Sequence, residues 1–134
     1  MHKDVVRCWY EEMWNGWNEA VFDRILDPGI ELRGSLGQTH HGLSGIAAYM
    51  RFVRDAFPDF HNELEEMVEE GERVFARLRY TGTHRGELFG IPATGRRIAY
   101  MGAALFRFRG SRIWSVWVLG DVDGLKRQLA APEP

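Results

Sequence analysis

Cysteine is almost absent from the chain, and so is net charge. The 134 residues contain one cysteine, Cys8, so no internal disulfide can form. The formal net charge of -2 and the isoelectric point near 6.2 give no electrostatic footprint for nucleic acid or for an anionic membrane. No segment approaches the roughly 20 apolar residues of a membrane span, and the charged first residues lack the apolar core of a signal peptide. We therefore expect a single cytoplasmic domain over residues 1–134, with no nucleic-acid and no membrane partner.

The motifs of several enzyme classes are missing as well. No serine stands in the Gly-x-Ser-x-Gly context of a nucleophile elbow, and the glycine-rich stretch 86–95 lacks the Lys-Ser/Thr ending of a phosphate-binding loop. His40 and His41 are adjacent, but no third and fourth ligand stand at a suitable spacing. We therefore expect no metal site.

Aromatic and apolar residues are abundant, and their spacing predicts the secondary structure. Intervals of three and four predict amphipathic helices over 3–17 and 43–56, with a short helix between them after Asn18. From residue 60 the period changes to two, which predicts strands over 60–69, 74–84, 96–109 and 113–121. A short strand at 30–33, a helical turn at 125–129 and a frayed tail at 130–134 complete the prediction. Helices followed by hairpins indicate an α+β fold in which the helices cover one face of a curved antiparallel sheet.

The last two strands are apolar or small on both faces, although a sheet with one wet side should alternate apolar and polar residues. One face must meet the helices. The other face is predicted to meet a second subunit in a homodimer, through Trp114, Val116, Val118, Met101 and Leu105.

Small residues on the helix-facing side of the sheet suggest a pocket. Gly82, Gly102 and Ala104 stand among large rings, and small residues between rings leave volume that core residues would fill. The face ends in Asp121, whose pKa burial would raise toward values useful for proton transfer, and it also holds His84. Two other interpretations stay open: Asp121 caps a helix that begins at Val122 or bonds an arginine, and His84 is an exposed loop residue.

Four blocks of sequence resemble the SnoaL-like polyketide cyclases, within the superfamily of ketosteroid-isomerase-like and nuclear-transport-factor-like proteins. The resemblance covers nearly the whole chain. It rests on Phe57-Pro58-Asp59-Phe60, on Gly82-Thr83-His84-Arg85-Gly86 with Gly90-Ile91-Pro92-Ala93-Thr94-Gly95-Arg96, on Phe106-Arg107-Phe108, and on Trp117, Asp121 and Gln128-Leu129.

The resemblance implies a cone-shaped barrel with an internal pocket, commonly dimeric, and ring closure by intramolecular aldol chemistry without a cofactor. It also implies that Asp121 is the general acid/base, and His84 is taken as the second catalytic candidate. The residues expected to contact substrate are Trp14, Arg33, Tyr49, Tyr80, Tyr100, Ala104, Phe106 and Trp117. Ala104 and Phe106 depart from the family pattern because cyclases carry polar side chains there, and Arg33 stands where some relatives have histidine.

The leading hypothesis is a cyclase or isomerase-type enzyme that acts by general acid/base chemistry on an apolar, oxygenated, polyketide-like small molecule. The alternative is a non-catalytic ligand-binding or dimerisation domain of the same fold. Epoxide hydrolysis is disfavoured because Asp123 has the wrong strand parity to join Asp121.

Overall fold

The N-terminal layer is a helix that widens along its length. In the computed structural model, which describes residues 1–131, α1 spans His2–Cys8 and continues as a π-helix over Trp9–Trp14. The predicted apolar stripe is confirmed, since Val6, Trp9 and Met13 are almost fully buried. A 3-10 turn over Glu19–Val21 follows and leads into α2 (Phe22–Ile25). The predicted cap is also present, because the Asn18 side chain accepts the Ala20 N–H at 3.0 Å.

Six strands form one sheet within residues 1–131: β1 (Leu26–Arg33), β2 (Thr39–His41), β3 (His61–Glu70), β4 (Arg73–Thr83), β5 (Arg97–Arg109) and β6 (Arg112–Gly120). The order across the sheet is β2-β1-β6-β5-β4-β3. All neighbours are antiparallel except β1 and β6, which run parallel, and the sheet does not close on itself. The α+β prediction is confirmed, and the sheet is mixed because the chain crosses from β2 to β3 through a helix.

The remaining helices pack against the inner face of this sheet. Helix α3 (Gly42–Ala56) lies on β1 and β2, α1 on β3 and β4, and α4 (Val122–Ala130) on β5. The predicted stripe of α3, Ile46, Met50 and Val53, is at most 3% exposed. Burial of each such side chain stabilises the fold by about 1.5–3 kcal/mol. None of the helices in residues 1–131 combines the length and the apolar character of a membrane span, and residues 132–134 of the predicted tail lie outside the described chain.

A bulge in β6 reverses the face assignment predicted for this strand. Arg107 pairs with Ser115 and Phe108 with Ile113, so Trp114 is the extra residue and the alternation shifts by one. Val116 and Val118 therefore point into the core, 2% and 6% exposed, and Trp117 points outward at 47%. The prediction that Val116 and Val118 lie on the outer face, and Trp117 on the inner one, is wrong for this reason.

The most specific sequence block, residues 82–96, ties the end of β4 to α3. The N–H groups of Arg85 and Gly86 donate to the carbonyl of Ala56, at 2.9 and 3.2 Å, which satisfies one of the free carbonyls at the end of α3. A Cβ at Gly86 would lie 2.1 Å from the carbonyl oxygen of Asp55, so only glycine fits there. This block has a structural explanation that does not depend on substrate.

Gln128 anchors helix α4 to the part of β5 that extends past the end of β6. The Gln128 amide accepts the Ala99 N–H at 3.0 Å and donates to the Ala99 carbonyl at 2.7 Å. Arg96 donates to the carbonyls of Gln128 and Leu129 at the end of the helix. The predicted turn at 125–129 is thus a helix of nine residues, docked across the end of the sheet.

Candidate active site

A cavity lies between the N-terminal helix, α3 and the inner face of the sheet. Its empty volume is about 330 Å³, part of which is open to solvent. Its walls are Trp9, Tyr10, Trp14, Leu32, Gly34, Ser35, Tyr49, Val53, Phe60, Asn62, Tyr80 and Val118. Aromatic rings dominate: Trp14 meets Tyr49 edge-on at 5.7 Å and Phe60 stacks on Tyr80 at 5.6 Å between ring centroids. Such walls favour a flat, apolar ligand.

Tyrosine hydroxyl groups supply most of the polarity inside. Burial raises the pKa of Tyr10 well above its usual value. Burial, together with the neighbouring Tyr10 and Tyr49, does the same for Tyr80. These phenols therefore remain protonated at physiological pH and can donate hydrogen bonds.

Three further hydroxyl groups at or beside this site already have partners. The hydroxyls of Tyr100 and Ser35 share a hydrogen bond of 3.1 Å, and the Tyr49 hydroxyl accepts the Leu36 N–H at 3.4 Å. Burial raises the pKa of Tyr100 well above its usual value, while its bond with Ser35 acts in the opposite direction.

Glycines admit these rings instead of leaving empty volume. A Cβ at Gly102 would lie 2.5 Å from the Tyr80 ring, and one at Gly34 would lie 2.4 Å from the Tyr49 hydroxyl. Gly82 similarly accommodates the ring of Phe57. The sequence prediction of a cavity is correct, but the space beside Gly102 and Gly82 is filled, and the open volume lies on the other side of the rings.

A pair of asparagines fixes the wall formed by β3. Asn62 is 5% exposed and lines the cavity. Its N–H groups, main chain and side chain, donate to the Asn15 Oδ1 at 2.7 and 3.0 Å, and Asn15 Nδ2 donates back to the Asn62 carbonyl at 3.0 Å. One N–H and the Oδ1 of the Asn62 amide remain for a ligand.

Asp121 lies outside the cavity, on the surface. Its side chain caps α4 by accepting the Gly124 N–H at 2.9 Å, and the residue is exposed. The expectation that Asp121 faces the inside is therefore wrong in this structure, and the alternative that it caps the helix starting at Val122 is confirmed. The cause is the shifted alternation of β6.

His84 is buried completely, so the exposed-loop interpretation is wrong, but it does not line the cavity. The Thr94 N–H donates to its Nδ1 at 3.2 Å and the Thr94 hydroxyl lies 3.0 Å from the same atom. Because Nδ1 accepts, the ring proton belongs on Nε2, which has no partner among residues 1–131. His84 thus holds the connection between β4 and β5 in place.

Five of the eight predicted substrate contacts are absent from the cavity lining. Arg33 donates to the Val118 carbonyl, and its guanidinium lies 5.7 Å from the ring centroid of the exposed Trp117. Ala104 and Phe106 are buried in the core behind the walls. Trp14, Tyr49 and Tyr80 line the cavity as predicted, and Tyr100 contacts it through Tyr80, at 4.8 Å between ring centroids.

Two titratable groups flank the rim formed by the loop after β1. A Cβ at Gly120 would lie 2.7 Å from the Ser35 carbonyl oxygen, so Asp121 follows directly on a residue that touches this loop. The ring of His40 stacks on the cavity-lining Tyr49, with 4.3 Å between ring centroids. Burial and the adjacent His41 lower the pKa of His40, which keeps its imidazole neutral. Within residues 1–131 no group of three or more His, Cys, Asp or Glu is arranged to hold a metal ion.

Sequence reasoning missed Tyr10, Ser35, Asn62 and Trp9 as lining residues. Trp9 and Tyr10 were part of the predicted apolar stripe, which gives no indication of which members border a cavity. Asn62 did carry a signal, because it is a polar residue at a buried position of an alternating strand.

An α+β fold with an aromatic-walled cavity between helices and the inner face of an open sheet is typical of small-molecule-binding proteins. Residues 4–129 match the SnoaL-like polyketide cyclases, and the chain belongs to this family. It is 33% identical over 141 residues to the aklanonic acid methyl ester cyclase of Streptomyces peucetius, covering 98% of this chain and 92% of that protein. It is 30% identical over 118 residues to the nogalonic acid methyl ester cyclase of Streptomyces nogalater, covering 87% and 85%.

A crystal structure of a SnoaL-like protein from Jannaschia sp. CCS1 has the same fold. Its TM-score is 0.88 at 21% identity, and the match covers 98% of this chain and 93% of that one. The predicted family is therefore confirmed, and with it the expectation of a polyketide-cyclase-like enzyme.

Proposed function

We propose that this enzyme closes a ring in a polyketide-type ketone or ester by an intramolecular aldol reaction, without an organic cofactor. The observation that carries the proposal is an aromatic-walled cavity holding neutral hydroxyl groups, in a chain matched over nearly its whole length by named cyclases. Such walls suit a planar polyketide, and the hydroxyls suit its carbonyl oxygens.

The reaction needs one base, one donor to oxygen and a fixed conformation. A base removes a proton from the carbon next to a carbonyl, and the enolate carbon then bonds to a second carbonyl carbon of the same molecule. The second carbonyl oxygen takes up a proton as it becomes a hydroxyl. Atoms are conserved, so the product is an isomer of the substrate.

We propose Asp121 as the base, acting at the rim of the cavity. The cavity itself has no carboxylate among its lining residues within 1–131. A substrate that extends beyond the cavity would place its reacting carbon near the loop beside Gly120. Asp121 would then have to leave its cap on α4, and His40, whose ring stacks on the cavity-lining Tyr49, is a neutral group near the same cavity.

The test uses the two methyl esters named for the relatives. Purified protein is incubated with aklanonic acid methyl ester or with nogalonic acid methyl ester, and the products are separated by chromatography with mass detection. The expected result is a new peak of unchanged mass that grows with enzyme concentration. Tight binding of both esters without any isomeric product would favour the alternative, a ligand-binding domain without catalytic activity.

We also propose a homodimer through the outer face of the sheet. The residues proposed for this interface differ from those predicted from the sequence, because the bulge in β6 changes which side chains point outward. Trp117, Leu105, Phe75 and Val68 pair in register across four strands, and the neighbouring Leu119 and Met101 are 52% and 50% exposed. A row of exposed apolar side chains on a sheet favours burial against a second copy. The low cysteine content still supports the cytoplasm as the proposed compartment.

A further inference from the structure

The hydroxyl of Tyr10 is an exception among the polar groups of the cavity. The residue is 3% exposed, it lines the cavity, and its oxygen has no hydrogen-bond partner among residues 1–131. Buried hydroxyl groups in folded proteins are almost always paired, and one left unpaired destabilises the fold. A ligand oxygen in the cavity would supply the missing partner of this hydroxyl.

Several other polar groups around the cavity are already engaged within the protein. Tyr100 and Ser35 bond to each other, Tyr49 accepts a main-chain N–H, and the Asn62 amide is held by Asn15. Among the lining residues described, the Tyr10 hydroxyl is the one fully buried side-chain donor that has no partner within residues 1–131, so it is free to bond to a substrate oxygen.

The position of Tyr10 is fixed through its ring and through its main chain. Its ring packs edge-on against Phe106, with 5.8 Å between centroids. Its carbonyl accepts the Asn15 N–H at 2.8 Å in the wide turn of the π-helix, and the Asn15 side chain binds Asn62 on β3. A donor held in this way needs little reorganisation when charge develops beside it.

We propose that the Tyr10 hydroxyl donates a hydrogen bond to the substrate carbonyl oxygen on which the enolate charge develops. This inference rests on the proposed ring closure and adds the residue that stabilises its intermediate. The proton stays on Tyr10 throughout, since the base removes a carbon-bound proton and the negative charge rests on the substrate oxygen. Burial raises the pKa of Tyr10, so the phenol donates and does not ionise.

The experiment uses 2-naphthol, whose ionised form carries its charge on an oxygen attached to a flat ring system, as an enolate does. Absorbance and fluorescence distinguish naphthol from naphtholate, so one titration gives both the affinity and the pKa of the bound probe. Tyr10→Phe is compared with the wild type and with Tyr100→Phe, which removes a buried hydroxyl that already has a partner. Thermal melts confirm that each variant is folded.

The expected result is that Tyr10→Phe weakens binding of naphtholate by about 10- to 100-fold, the range for a hydrogen bond to a charged group. It should also raise the pKa of the bound probe by about one unit or more relative to the wild type. The loss in Tyr100→Phe should be several-fold smaller. Equal affinity and equal probe pKa in Tyr10→Phe and the wild type would overturn the proposal, and so would a wild type that shows no saturable binding.

The same variants separate this inference from the proposed function. If the naphthol results hold but neither methyl ester is converted to an isomer, the donor is supported and the ring-closing function fails. If the wild type and Tyr10→Phe cyclise an ester at equal rates, the function stands and the donor role is wrong.

Discussion

Asp121 can be tested for its two roles separately, because asparagine and alanine affect them differently. Its Oδ1 accepts the Gly124 N–H at 2.9 Å at the start of α4. Asparagine keeps an acceptor of the same shape, and it caps helices about as well as aspartate. Alanine removes the cap, which costs about 1 kcal/mol, with a range of about 0.5–2 kcal/mol. For a domain of this size that corresponds to a fall in Tm of about 3–5 °C.

If Asp121 is the general base, the two variants differ in stability but not in activity. We expect Asp121→Asn to melt within about 2 °C of the wild type and Asp121→Ala to melt lower. Both should lose about 100-fold or more in turnover of the methyl ester, because an amide has no basicity. Melting curves by circular dichroism and product formation by chromatography measure the two effects on the same samples.

The matched control is Asp123→Asn, which removes an exposed carboxylate two residues away that pairs with Arg127 at 3.1 Å. It should retain wild-type turnover. Wild-type turnover by Asp121→Asn would refute the assignment of the base. An unchanged Tm in Asp121→Ala would refute the capping role.

Three further predictions concern packing, the connection between β4 and β5, and assembly. Gly102→Ala should lower the free energy of unfolding by about 1–3 kcal/mol, because the new Cβ would overlap the Tyr80 ring. Urea titration measures this loss, and an unchanged midpoint would contradict the close packing of Tyr80 on Gly102. His84→Ala should lower the free energy of unfolding by about 2–4 kcal/mol, because the buried ring and its hydrogen bond with Thr94 are lost, while the folded protein keeps its turnover. A fully folded variant without turnover would show a catalytic role for His84 instead. Leu119→Arg should halve the solution mass seen by light scattering, and a monomeric wild type would rule out the dimer.

The alternation of strand β4 could be predicted from the sequence, but that of β6 could not. In β4 the side chains of Val74, Ala76, Leu78 and Tyr80 alternate with polar residues, and all four are buried as the pattern indicates. In β6 both faces are apolar, so the pattern does not reveal where an extra residue enters. Trp114 is that residue, and the shift it causes moves every later side chain to the opposite face.

The cavity was predicted from small residues of the sheet that do not line it. A sequence shows that Gly102 is small, but not which neighbour uses the space that it leaves. Here Tyr80 uses it, since a phenol ring reaches across from the adjacent strand. The volume open to a ligand therefore depends on the helices, through Trp9, Tyr10 and Trp14, whose spacing is equally typical of a core.

The glycine and tyrosine pairs explain how an apolar fold can keep hydroxyl groups inside it. Each phenol ring buries a large apolar surface, and the glycine opposite lets the ring lie flat against the backbone, so packing offsets much of the cost of taking an oxygen out of water. For Tyr49 and Tyr100, hydrogen bonds offset the remaining cost: the Tyr49 hydroxyl bonds to the Leu36 N–H, and the Tyr100 hydroxyl bonds to Ser35. Tyr10 lacks such a bond among residues 1–131, so Tyr10→Phe should be at least as stable as the wild type. Lower ligand affinity with equal or higher stability in that variant would distinguish a retained functional hydroxyl from a structural one.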